Sequence, residues 1–178
     1  MTISQSLAGF VDEIEFAKLP LEVVDKVKAL LLHGAFIGLS SFSEDDAVLA
    51  GELSIAMGET NVGNAHILAN GTTTNRLSAA YANSVLIHLR GQDDSYRMLT
   101  HPGCCILPAL FAESENRSIS GMRFLEALAG SYEVHCRLSK DIVPSAQNQG
   151  FRSSALFGIF GPAVGSAMIL NLNDNQIA

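Results

Sequence analysis

The sequence predicts an all-α protein, a multi-helix bundle spanning residues 1–178. Apolar residues recur at helical spacing through most of the chain. Helix start and stop residues punctuate it at matching positions. No stretch alternates polar and apolar residues long enough for a sheet, which leaves room for at most one small hairpin.

Ile3, Leu7, Phe10, Val11 and Ile14 mark a first helix over residues 3–17. Pro20 suits the first turn of a second, in which Val23, Val27, Leu30 and Leu31 face inward. Ser43 and Asp46 have the spacing of a capping box for a third helix, which runs to Met57 and stops at Gly58. The helical pattern fails over 59–74, where Asn61, Gly63, Asn64, Asn70 and Gly71 fall, with a short extended piece at His66–Leu68. Helix returns over 75–89, and residues 90–100 are polar and irregular. Pro102 opens a helix to Ser114, Ser120 caps one to Leu138, and residues 140–150 are expected to be a loop. The stretch 155–170 carries no charge and is too short to span a bilayer, so a buried, central helix is expected. Asn173 and Gln176 form a further start signal just before the last residue, Ala178, from which a longer, truncated chain is expected.

The length fits one domain with its own core. Only 16% of residues are charged, where about a quarter is usual, so part of the surface is expected to be covered by another subunit or more chain. The net charge of -7 opposes nucleic acid and anionic membranes as partners. Cys104, Cys105 and Cys136 make a poor disulfide framework, and Met1–Gly9 lacks a basic region followed by an apolar run. A reduced, cytoplasmic protein is expected.

The segment Asn83–Cys105 is richest in chemistry. It joins a helix end, the acidic pair Asp93 and Asp94, Ser95, and a His101-Pro102-Gly103 turn opening a helix. Free N–H groups at a helix start suit a carboxylate, and His101 at that entrance can move a proton at neutral pH. The same acids read equally as solvated or capping residues, His101 as a cap and His88 as a helix-end histidine. His33 and His135 carry no functional claim. Cys104 would need an activating base to act as a nucleophile, and adjacent cysteines more often fill a core. No phosphate-binding glycine motif is present. His101, Cys104, Cys105 and Asp93 match no standard zinc spacing, so no metal site is expected.

Six segments, taken in order and spacing, resemble the MmgE/PrpD family, which includes 2-methylcitrate dehydratases, cis-aconitate decarboxylases and an iminodisuccinate epimerase. They are LPLEVVDKVKALLLHG (19–34), LSAAYANSVLIH (77–88), DDS (93–95), HPGCCILPAL (101–110), GSYEVHCRLS (130–139) and GFRSSALFGIFGPAVGSAMILNL (150–172). The resemblance implies the N-terminal portion of a large helical domain, in a dimer whose second, α/β domain closes the active site. It implies a lyase or isomerase of a small polycarboxylate that uses no cofactor and no metal. The family's D-x-D-D-T run falls on Gly91, Asp93, Asp94 and Ser95, its HPG histidine on His101, and a second active-site histidine on Arg152. His101 is then the catalytic proton carrier, with Asp93, Asp94, Ser95 and Arg152 binding substrate. Gly91 and Arg152 depart from the pattern: glycine carries no proton, and an arginine stays charged but can clamp a carboxylate. The rival reading is a non-catalytic fragment or degenerate paralogue serving as a helical assembly module.

Overall fold

A computed structural model describes residues 1–58, 65–68, 70–97 and 100–178. Asn61, Gly63 and Asn64, within the expected break at 59–74, lie outside the described residues.

Helix α1 (Ile3–Asp12) starts at a capping box in which Thr2 and Gln5 satisfy each other's backbone N–H groups. It ends earlier than its apolar spacing predicts, and a 3₁₀ turn, Phe16–Lys18, leads to Pro20. Helix α2 (Leu21–Ser40) follows, with Val24 and Val27 buried and Val23 exposed. Helix α3 (Asp45–Met57) begins after Glu44 with no side-chain cap, so the Ser43 capping box does not form; Asp45 and Asp46 do occupy its first turn. Two short strands, β1 (Ala65–His66) and β2 (Thr73–Thr74), pair antiparallel with Ala65 opposite Thr74. Asn75 caps α4 (Arg76–His88), Pro102 opens α5 (Pro102–Ser114) and Ser120 caps α6 (Gly121–Ser139). Each cap side chain accepts a bond from an N–H three residues on, at Ser78 and Arg123 respectively.

Helix α5 is the centre of the bundle. It packs against α4, α6 and α9 (Phe160–Ile169), and Ile106, Leu107 and Leu110 are fully buried. Truncating Leu107 to alanine would cost about 2–5 kcal/mol, because so enclosed a site relaxes little around a cavity. Glycines set the closeness of approach. A Cβ at Gly165 of α9 would collide with Ser131 and Leu110, and one at Gly34 of α2 would collide with Leu107. Arg123 ties the end of α9 to α6 by donating to the Met168 carbonyl, while its partner Glu126 accepts the Phe16 N–H.

Two further expectations fail. Residues 140–150 contain a short helix, α7 (Val143–Asn148), with Pro144 in its first turn. The uncharged stretch 155–170 is not one buried helix. It divides into α8 (Ser153–Phe157) and α9 around Gly158 and Ile159. Gly158 lies against the Ser154 carbonyl and the Cys105 sulfur, where a Cβ would collide with both. Ile159 is 65% exposed and Phe160 39%, while the buried face is Gly161, Gly165, Ala167, Met168 and Ile169. The small residues serve one contact face, and hydrophobicity alone does not bury the other. Exposed apolar side chains are concentrated on α2 and α3, including Leu32, Phe36, Leu39, Leu49 and Leu53. Among the described residues, no helix is long and apolar enough to cross a membrane. The chain closes on α10 (Asp174–Ile177), whose Asn173–Gln176 capping box forms as read.

Candidate active site

The end of α4, the loop after it, the start of α5 and the start of α8 meet at one place. Gly91 makes the first turn. Its φ of +60° is open to glycine without strain, and its N–H donates to the His88 carbonyl. The chain then passes Asp93 and Asp94, and Tyr96 and Thr100 form an antiparallel bridge that brings it back to His101.

Asp93 is the centre of the cluster, its side chain only 1% exposed. His88 Nδ1 lies 3.0 Å from Asp93 Oδ2, and His101 Nδ1 lies 3.4 Å from Asp93 Oδ1. The two rings meet edge to face with centroids 4.9 Å apart. His101 Nδ1 is also 3.2 Å from the Asp94 carbonyl oxygen. Both neighbours of that nitrogen are acceptors, so the network assigns the proton to Nδ1 and leaves Nε2 with a lone pair. The same argument gives His88 an Nδ1 proton, and its Nε2 accepts from Arg152 Nη2 at 3.4 Å. A buried carboxylate, two imidazoles and a guanidinium thus form one connected chain.

Asp94 does a different job. Its Oδ1 accepts the Gly103 N–H at 2.8 Å, and the Tyr132 hydroxyl bonds to it as well. It therefore caps α5 in place of His101, whose side chain makes no cap bond. Burial raises the Asp94 pKa above the usual carboxylate range, against the two hydrogen bonds that lower it. Burial and then the Asp94 charge push the Tyr132 hydroxyl up. Thr100 is pinned from the other side, its hydroxyl 3.1 Å from Nε2 of the fully buried His135. Burial lowers the His135 pKa to about 4.

Of the five residues read as site residues, Asp93, His101 and Arg152 converge, with His88 linking the last two. Asp94 supports them from behind. Ser95 is exposed, and no hydrogen bond among the described residues ties it to the cluster. Sequence reasoning passed over His88 because a histidine near a helix end is unremarkable by itself. The usable signal was the Gly91 turn, which folds His88 back over a residue five positions later. Cys104 is held as a thiol. Its neighbour Cys105, 4.0 Å away, and then burial push its pKa up, away from the thiolate a nucleophile needs.

A cavity of about 440 Å³ opens beside the cluster, lined by Tyr81, Ser84, His88, Gly91 and Cys104 among others. A larger one, about 490 Å³, lies at the α1–α2 elbow between Phe10, Leu19 and Arg137. That cavity has no histidine in its wall, whereas His88 of the cluster lines the smaller one.

The chain is similar to the cis-aconitate decarboxylase-like protein oryM of Aspergillus oryzae (strain ATCC 42149 / RIB 40). The two are 26% identical over 187 residues, an alignment covering 98% of this chain and 38% of that protein. The chain thus spans about two-fifths of the length of that relative. A family model, the MmgE/PrpD N-terminal domain, matches residues 5–178. That match takes in nearly every helix described above together with the His101 turn, and the chain belongs to the MmgE/PrpD family.

Proposed function

We propose that this domain carries the proton-transfer half of the active site of a cofactor-independent lyase or isomerase acting on a small polycarboxylate such as 2-methylcitrate or cis-aconitate. The supporting observation is the buried Asp93 carboxylate facing the Nδ1 atoms of His88 and His101. His101 Nε2 takes or returns a proton on the carbon beside a substrate carboxylate. Asp93 steadies the imidazolium that results, and Arg152 grips a carboxylate. The remaining cationic contacts and the exclusion of water come, in this reading, from a second α/β domain, and the exposed apolar residues of α2 and α3 are covered in a cytoplasmic homodimer.

The test is an NMR assay for turnover of 2-methylcitrate and cis-aconitate, with proton exchange beside the carboxylate followed in deuterated water. A protein containing the second domain is expected to catalyse exchange, and His101→Asn to lower it by about a hundredfold to ten-thousandfold. Residues 1–178 alone are expected to show no appreciable turnover, since an open site leaves its electrostatics weakened by water. Unchanged exchange in His101→Asn would refute the assignment. A second reading, a non-catalytic assembly module, is favoured by Gly91, which cannot replace the acid the family places there. Absence of exchange in the two-domain protein, with assembly intact, would support it.

A further inference from the structure

We infer that His88, Asp93 and Cys104 form a binding site for one divalent cation of the zinc class. One ligand atom from each residue lies within 4.8 Å of the other two. Bonds of about 2.0–2.3 Å around a tetrahedral ion would place those atoms roughly 3.3–3.7 Å apart, so small side-chain movements suffice. An imidazole nitrogen, a carboxylate oxygen and a thiolate sulfur form a borderline-soft set, suited to zinc or cobalt and poor for magnesium or calcium.

The three ligands come from three anchored segments: the last turn of α4, the loop behind Gly91, and the first turn of α5. Asp93 and Cys104 are buried, but His88 is 35% exposed, and His88 and Cys104 share the wall of the 440 Å³ cavity. An ion therefore has a path in, and the cavity side leaves a fourth position for water. Spacings of five and eleven residues between successive ligands match no standard zinc pattern, so only the fold brings them together.

Binding has a defined proton balance and moves no electrons. The Cys104 thiol, which now donates to the His101 carbonyl at 3.3 Å, loses its proton to solvent as sulfur bonds to the metal. The proton on His88 Nδ1 is replaced by the metal and reappears on Nε2, leaving the ring neutral. One proton is released per ion. His88 Nε2 then becomes a donor, and the Arg152 Nη2 contact becomes donor against donor. Arg152, exposed at the start of α8, must move away, so it opposes the ion both by charge and by geometry. The ion and the proposed proton transfer compete for Asp93 and His88; that consequence rests on the proposed function, whereas the binding itself does not.

The test uses residues 1–178 with Zn²⁺ alone, titrated in competition with a chromogenic chelator, and Co²⁺ as a spectroscopic substitute. One ion per chain and one proton released are expected, with a sulfur-to-cobalt charge-transfer band in the near ultraviolet. Cys104→Ser should abolish the band, and both Cys104→Ser and His88→Gln should weaken binding by at least about tenfold, the lower end of the loss seen on removing even an outer-shell partner. Cys105→Ser and Cys136→Ser should retain both band and affinity, and Arg152→Gln should bind more tightly than the parent. Thermal melts without metal confirm that each variant is folded. The inference is overturned if the cobalt band survives in Cys104→Ser, if His88→Gln binds as the parent does, or if Arg152→Gln binds no more tightly.

Discussion

His101 and Arg152 sit within one cluster but are held in opposite ways. The His101 flank is built into the core: Asp94 and Tyr132 fix the start of α5, His135 fixes Thr100, and the Asp93 carboxylate faces the His101 Nδ1. The Arg152 flank follows Gly150 at a φ of +84° and an exposed Phe151, and among the described residues its guanidinium makes one hydrogen-bond contact, at 3.4 Å to His88. The difference follows what each group is asked to do. Proton transfer needs donor and acceptor within hydrogen-bond reach, so its residue gains from rigid support. A guanidinium attracts a carboxylate over a longer range and can adjust as it closes on it.

Between these two flanks, the largest effect on stability is expected from the supported one in acid. His135 titrates near 6.5 in the unfolded chain and near 4 in the fold. Between those values the unfolded state holds more protons, so stability falls as pH falls through this window. The loss approaches about 3 kcal/mol at the acid end. Urea unfolding of the parent and His135→Gln from pH 7 to pH 4 measures it: the variant should show a flatter slope, and identical slopes would mean that His135 takes up its proton without unfolding anything.

Next comes the α5 cap. Asp94→Ala leaves the Gly103 N–H and the Tyr132 hydroxyl unpaired, at a cost of about 2–3 kcal/mol. Asp94→Asn keeps an acceptor and removes a charge whose burial is unfavourable, so it should cost less than about 1 kcal/mol. Equal losses in the two variants would show that the charge, rather than the cap, supports this flank.

The Arg152 flank should answer in binding instead. In a two-domain protein Arg152→Gln is expected to raise KM by about tenfold to a hundredfold, the range for a charge-assisted hydrogen bond. Its melting temperature should stay unchanged. A drop of several degrees would place Arg152 among the structural residues and erase the contrast. The smallest effect belongs to Ile159→Asp. At 65% exposure the new carboxylate stays in water, and stability should change by no more than about 0.5 kcal/mol. A loss of several kcal/mol would mean that another surface covers Ile159 in solution.

Local chemistry determined much of this protein from the sequence alone. Ser120 and Asn173 cap their helices as read, and Pro102 opens α5, because a cap satisfies an N–H only three residues away and needs nothing from the rest of the fold. The helical class follows from the same short-range periodicity, and the family's motif order pointed to His101, Asp93 and Arg152. Tertiary structure decided what depends on distant partners. The uncharged stretch 155–170 breaks around Gly158, where Cys105 and the Ser154 carbonyl leave no space for a side chain, and its Ile159 turns outward. Asp94, read both as a ligand-binding acid and as a capping one, is the α5 cap because Gly103 and Tyr132 are presented to it, whereas among the described residues no hydrogen bond ties Ser95 to the cluster. Cys104 reached His88 and Asp93 only because α4 and α5 pack side by side. Hydrogen bonds over a few residues are written in composition and spacing, whereas contacts between helices depend on which faces meet.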